Sequence, residues 1–385
     1  MSLDLTSASR QIQNMAQNIS ARESDRIKRI EAAISAAKNF DLKSYESVRR
    51  NLAELGQTTT LIEDSPSKAF SSPNLPKNLI VAAVDGSHID VDRHLAAQCF
   101  LINIGSCLIK YGDDSYAELQ TKPTLYATDE NMVIKSADNR TQRIQGSVLG
   151  IKRHIEELKE LAGLINQIPA EVPCSLFVDG TLFPVGMSIF PQFVRDQFFD
   201  EIKETMNLLF QESNNRKMSV SAYISYPGHS EIVETLRLLI CDEIAGTGIC
   251  KGCIEGVKDR DIFFKLLEPG QRSPVFARNT TLGHTNIATD IAFFYLNAGN
   301  EIVRIEMPYW SIEHNDIIEL AHGTSLDQSK RGPGYPTVLV EAHEQAIVTT
   351  ADRESFVELV ELSLNSNGIT TPTSQKNISK RLRNI

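Results

Sequence analysis

Two short segments carry the same chemical pattern. "VAAVDGS" (81–87) and "SLFVDGT" (175–181) each run an apolar stretch into Asp-Gly-Ser/Thr, which sets Asp85 and Asp179 at the ends of predicted buried strands. A carboxylate there is poorly solvated and needs backbone N–H donors, a cation or a metal. The neighbouring glycine permits a turn and close approach of a ligand, and the Ser or Thr adds a hydroxyl. Each segment alone reads more readily as an Asx-type turn, because Asp-Gly is a common turn dipeptide. The pair reads differently if the two strands are neighbours. Two ionised carboxylates within about 4–6 Å repel unless a cation lies between them. Asp85 and Asp179 then point to a divalent-metal site, and hard oxygen ligands favour Mg²⁺ or Mn²⁺ over zinc.

A helix pattern over 149–168 offers a further carboxylate. Its apolar stripe is Ile151, Ile155, Leu158, Ala162 and Ile165. At about 100° per residue Glu157 falls on the edge of that stripe and Glu156 nearly opposite. Glu157 is the better candidate for the site and Glu156 the alternate, while both also read as solvated helix charges. In "GPGYPTVLVEAHEQA" (332–346), Tyr335 sits at a Gly-Tyr-Pro turn and His343 follows eight positions later on an apolar helix opening. A histidine there is more often a hydrogen-bonded core residue. As a functional group it would ligate metal or handle a proton.

These residues need elements to hold them. Residues 5–54 carry apolar positions at helical spacing without Pro or Gly, which predicts one or two amphipathic helices acting as an arm (1–63). "DSPSKAFSSPNLPKN" (64–78) breaks any regular element, so the compact domain is expected over 78–355. There "LIVAAVDGS" reads as a strand covered on both faces, and Gly105 in "HLAAQCFLINIGSCLIKYG" predicts a hairpin or a bent strand. Helices are predicted over 191–212, 230–245 and 259–268, and a hairpin around Asn297–Asn300. "TVLVEAHEQAIVTT" opens a last long helix, and 364–385 is a polar tail with Lys380, Arg381 and Arg383 near its end. Strands and helices intermix without a strict βαβ rhythm, which predicts an α/β fold with a mixed sheet.

Composition narrows the class. With 385 residues, 41% of them hydrophobic, the chain can bury a sizeable core. It has no run of about 18 uncharged apolar residues and no basic-then-apolar N-terminus, so we expect a cytoplasmic protein that does not enter membranes. A net charge of −10 argues against a uniformly basic nucleic-acid binder but leaves room for a local basic groove. The six cysteines read as reduced thiols, and the lone CxxC of Cys250 and Cys253 supplies at most half a zinc site.

The motif series "AAVDGSH", "LFVDGTL", "SAYISYPG", "DRDIFFKLLEPGQRS", "IEMPYW" and "GYPTVLVEAHEQA", spread over about residues 78–352, resembles the NurA nuclease family. The resemblance implies an RNase H-like core with a mixed sheet flanked by helices. It also implies a homodimer around a DNA channel and Mn²⁺- or Mg²⁺-dependent DNA cleavage, as 5′-to-3′ exonuclease and single-strand endonuclease. The partner it implies is a HerA-type hexameric ATPase, in processing double-strand breaks. The family's two metal-binding Asp match Asp85 and Asp179, and its Tyr and His match Tyr335 and His343. Its intervening acid stays open among Glu156, Glu157 and Glu160. On that reading Asp85, Asp179, Glu157 and His343 bind metal, and Tyr335 positions the phosphate or nucleotide. Lys258, Arg260 and Arg272 are candidate phosphate contacts, each reading equally as a surface charge or ion pair. The runners-up are an actin- or sugar-kinase-like ATPase, which would want more loop glycine, and a non-catalytic DNA-repair adaptor.

Overall fold

The computed structural model describes residues 4–54, 60–62, 64–91, 97–184, 186–240, 254–278 and 291–369. Cys241, Cys250 and Cys253 lie outside the described residues, as do the basic residues of the tail. The chain begins with α1 (Leu5–Lys38), α2 (Leu42–Glu54), β1 (Thr60–Ile62), β2 (Leu79–Ile89), β3 (Phe100–Tyr111) and β4 (Tyr116–Tyr126). It continues through α3 (Asp129–Met132), β5 (Val133–Lys135), β6 (Thr141–Arg143), α4 (Ser147–Ile165), β7 (Cys174–Asp179), α5 (Gln192–Asn215) and β8 (Ser219–Ile224). The rest is α6 (Glu231–Ile240), α7 (Asp259–Leu266), β9 (Phe276–Arg278), β10 (Ile291–Asn297), β11 (Ile302–Pro308), α8 (Asn315–Arg331), α9 (Thr337–Ala346) and α10 (Thr350–Ser366). Two compact units result, Met1–Ser72 with Ile224–Ile312 and Pro73–Tyr223 with Glu313–Ile385.

In the second of these units the strand order is β8-β7-β2-β3-β4. β2, β3 and β4 form an antiparallel meander, β7 joins β2 in parallel, and β8 joins β7 in parallel. The parallel steps require crossovers, which α4 and α5 supply. This is the RNase H-like arrangement, α/β with a mixed sheet. The apolar run of β2 is buried from Leu79 through Val84 because helices cover both of its faces. The outer strand β4 is exposed along nearly its whole length.

The sequence reading departs from the structure at three places here. β3 runs unbroken through Gly105, so that glycine marks neither a hairpin nor a bend. The last helical pattern is two helices, since Ile347–Thr349 interrupt it and Thr349 caps α10 in a reciprocal pair with Asp352. No element is predicted between the Asn297–Asn300 hairpin and Gly332, yet this stretch contains the 17-residue α8. Its buried residues mix Ile317, Leu320, Ala321 and Leu326 with Thr324, Ser325, Gln328 and Ser329, so its apolar stripe is interrupted.

The other unit carries β1-β9-β10-β11, all antiparallel, with the predicted hairpin between Asn297 and Ile302. Ala33 and Ala37 of α1 and Tyr45 of α2 pack into a core with Ile232, Phe263, Phe293 and Tyr295. The N-terminal half of α1 is an exposed helix, capped by the Asp4 carboxylate on the N–H groups of Thr6 and Ser7. Asp259 is buried here, accepting hydrogen bonds from Ile232 N, Val233 N and the Tyr295 hydroxyl. Burial pushes its carboxyl up to about 6. Among the described residues no helix is long and apolar enough to cross a membrane.

Candidate active site

The parallel register of β2 and β7 pairs Val84 with Val178, so Asp85 and Asp179 occupy the next positions on neighbouring strands. Strands paired in this way lie about 4.8 Å apart. The two carboxylates leave the same face of the sheet, and each meets a side chain from the segment around α9. His343 Nδ1 lies 2.6 Å from Asp85 Oδ2. The Tyr335 hydroxyl donates to Asp179 Oδ1 at 2.5 Å. Asp85 Oδ1 accepts the N–H of Gly86 at 2.7 Å. Asp85 is nearly enclosed, whereas the His343 imidazole is 61% exposed and open to a ligand.

Local structure explains these positions. Gly334 takes φ of 104°, a conformation glycine tolerates, and turns the chain so that Tyr335 precedes the helix and Pro336 is its N-cap. The Tyr335 ring packs edge-on against Tyr223 at 5.2 Å. Burial, reinforced by the Asp179 charge, raises the Tyr335 hydroxyl far above its ordinary range. It therefore stays protonated and acts as a donor. Gly105 pairs with Asp85 across β2 and β3 and so shares its face. A Cβ on Gly105 would stand 2.7 Å from the backbone carbon of Gln345, and closer still to Ala342 O and Ala346 N. The glycine lets α9 lie directly on the sheet, which sets His343 over Asp85.

The end of α9 is fixed by side chains that sequence reasoning passed over. Asn103 Nδ2 donates to Gln345 O and Ala346 O, and the Ser87 hydroxyl donates to Ala346 O at 2.6 Å. These satisfy carbonyls that a helix end leaves open. The Ser of Asp-Gly-Ser is thus spent on holding α9. A polar Asn within the apolar run of β3 was the available signal.

On the opposite face α4 brings up Glu157, which is 4% exposed. Its Oε1 would be 2.5 Å from a Cβ on Gly86, so Gly86 is the residue that makes room for it. Arg153 Nε lies 3.3 Å and His154 Nδ1 3.4 Å from the Glu157 carboxylate, and Arg153 also donates to Gly86 O. Glu157 Oε1 nevertheless accepts no well-formed hydrogen bond. Glu156 instead pairs with Lys152 and Lys159, and Glu160 with Lys122. Of the three glutamates left open by the sequence, Glu157 is the one beside the Asp-Gly segment.

Among the described residues no group of three or more His, Cys, Asp or Glu side chains is placed to hold a metal ion. The side chains form two pairs on one face, Asp85–His343 and Asp179–Tyr335, with Glu157 behind Gly86. Their chemistry fits a hard divalent cation on the Asp85–Asp179 face, with two carboxylates and an imidazole there, and the buried Glu157 carboxylate, whose Oε1 accepts no well-formed hydrogen bond, stands beside the same point of β2 where Gly86 leaves room.

The basic candidates fare unevenly. Arg272 is 4% exposed, stacks on Phe70 at 4.1 Å and donates to Ser273 O, so it is a structural cation and is withdrawn as a phosphate contact. Lys258 and Arg260 are half-buried around the start of α7. Arg260 donates to Tyr226 O and Pro227 O.

The NurA domain model matches residues 79–348. The chain belongs to the NurA family. The matched segment takes in Asp85, Glu157, Asp179, Tyr335 and His343, and leaves α1 and α2 outside the NurA domain. The NurA nuclease from Sulfolobus solfataricus has a similar fold at 12% identity, with a TM-score of 0.55 over 95% of this chain and 98% of that one. LC9-RNase H1, a type 1 RNase H with the type 2 active-site motif, aligns over 43% of this chain and 72% of that one. Its identity is 12% and its TM-score 0.21. No curated protein matches the chain significantly.

Proposed function

We propose that this NurA-domain protein is a divalent-metal-dependent deoxyribonuclease. The observation that carries the reading is the in-register pair Asp85 and Asp179, each held by a residue of the Tyr335–His343 segment. Asp85, Asp179, Glu157 and His343 would hold Mn²⁺ or Mg²⁺, which when bound polarises the scissile phosphate and activates water. His343, open to solvent, is suited to moving a proton as well as to ligating. Tyr335 keeps its proton and can donate it in a hydrogen bond to Asp179 or to a phosphate oxygen. Contact through the phosphate backbone gives little base specificity and a steep dependence on salt.

The finer reading is that the protein trims DNA 5′ to 3′ and cuts single strands endonucleolytically. It does so in the cytoplasm as a homodimer with a HerA-type hexameric ATPase, during processing of double-strand breaks. NurA family membership supports the DNA substrate. The test is incubation of end-labelled single- and double-stranded DNA with Mn²⁺ or EDTA, with and without the ATPase, beside Asp85→Ala and Asp179→Ala. Metal-dependent degradation lost in both variants is the expected result. Nucleotide turnover without DNA cleavage would replace the nuclease reading with an ATPase.

A further inference from the structure

The segment after β8 presents an aromatic ring to solvent in a costly conformation. Tyr226 has φ of 45°, uncommon for a bulky residue, and its side chain is 67% exposed. Nothing about core packing calls for this. The ring is nonetheless held firmly. Glu301 accepts the Tyr226 N–H at 2.8 Å and the Ser225 hydroxyl at 2.9 Å. Arg260 lays its guanidinium 3.8 Å from the ring centroid while donating to Tyr226 O and Pro227 O. With one ring face on Arg260 and most of the side chain exposed, the other face is open. Backbone strain that neighbouring groups so fully determine is a reason to look for a ligand.

The surroundings indicate which ligand. Tyr226 and Arg260 line a cavity of about 320 Å³ with Phe264, Lys265, Asp261 and Glu301 among its other walls. Phe264 is a second aromatic, 53% exposed. The two acids are occupied within the protein, Glu301 as above and Asp261 by Arg26 and the Lys258 N–H. Lys265 makes no ion pair among the described residues. Two exposed aromatic rings interleaved with a guanidinium and an ammonium match the chemistry of a single strand, whose unstacked bases have free π faces and whose phosphates are anionic. In a duplex those faces are already stacked.

We infer that Tyr226, backed by Arg260, is a stacking platform for an unpaired base of single-stranded DNA, with Phe264 and Lys265 flanking it. The inference rests on the reading of the chain as a DNA nuclease and adds a binding residue to it. The test measures anisotropy of a short fluorescein-labelled oligothymidine in EDTA, so that no cleavage occurs, together with quenching of a 2-aminopurine base. Tyr226→Ala should bind about tenfold more weakly and lose the quenching, while Tyr226→Phe stays near wild type and blunt duplex binding is unchanged. Ala loses only the Arg260 contact with an exposed ring, so at most a small fall in thermal midpoint is expected. Wild-type affinity in Tyr226→Ala, equal loss on duplex, or no oligothymidine binding by the wild type would each overturn the platform. The nuclease reading is judged separately, by Mn²⁺-dependent cleavage in the wild type beside Asp85→Ala. Cleavage can persist where the platform fails, and stacking can persist where cleavage is absent.

Discussion

Gly105→Ala tests whether the site depends on α9 lying directly on the sheet. The added Cβ would stand 2.7 Å from Gln345 C, against at least 3.4 Å for ordinary contact, and two backbone atoms are closer still. None of them is the end of a flexible side chain, so α9 must retreat by on the order of 1 Å, at an overpacking cost of roughly 1–3 kcal/mol. His343 sits one turn from these atoms and moves with them, lengthening its 2.6 Å contact to Asp85. A displacement of about 1 Å in a catalytic group can reduce rate about 100-fold. Gly163→Ala, in the last turn of α4, is the matched control because its Cβ would meet nothing within 4 Å. Replacing a helical glycine there should leave stability unchanged or raise it by up to about 1 kcal/mol. The assays are urea midpoints and Mn²⁺-dependent cleavage of labelled single-stranded DNA. If Gly105→Ala matches wild type in both, α9 does not need that close approach and the account of how His343 is positioned is wrong.

Glu157 and Glu156 of α4 should separate in the same cleavage assay. Glu157→Gln should abolish most of the activity, and Glu156→Gln, which loses partly buried pairs with Lys152 and Lys159, should leave cleavage near wild type; the reverse ranking would refute the assignment. Tyr335→Phe removes the hydroxyl donor to Asp179 and should slow cleavage without unfolding the chain. Because the Tyr335 hydroxyl is raised and not lowered, no alkaline limb from it should appear below about pH 10 in the wild-type rate profile. Asp259 gives a stability prediction with a definite sign. Its carboxyl is raised from 3.8 to about 6 in the fold, so its contribution is fully present below about pH 4 and is lost as pH rises to about 6. The two-unit shift corresponds to about 3 kcal/mol. Asp259→Asn should flatten that part of the urea-midpoint profile, and an unaltered slope would show that the group titrates normally.

How far the sequence could disclose this site follows from the range of each interaction. Asp85 and Asp179 were legible because a strand end is a local property: an apolar run, then Asp, then Gly. Glu157 was separable from Glu156 by helical angle, since one residue's step of about 100° turns a side chain from the core edge toward Lys152 and Lys159. Gly105 was misread because a glycine inside a strand is compatible with a bend, a bulge or a close approach. The helix that approaches it comes from residues 337–346, far along the chain. Arg272 failed for the same reason: its charge was visible, but Phe70 and Phe294, which enclose it, are brought to it only by folding. α8 escaped because polar residues that hydrogen-bond in the core, such as Thr324 Oγ1 to Ser175 Oγ at 3.0 Å, interrupt its apolar periodicity. Residue types therefore identified the carboxylates, while the partners that orient them were set by contacts distant in sequence. The Asp-Gly-Ser segment contains both kinds of information. Asp85 faces His343, Gly86 admits Glu157 from the other side, and Ser87 ties down the helix that carries His343. Three consecutive residues thus serve two helices through three kinds of contact, so substituting any one of them should disturb the site by a different physical route.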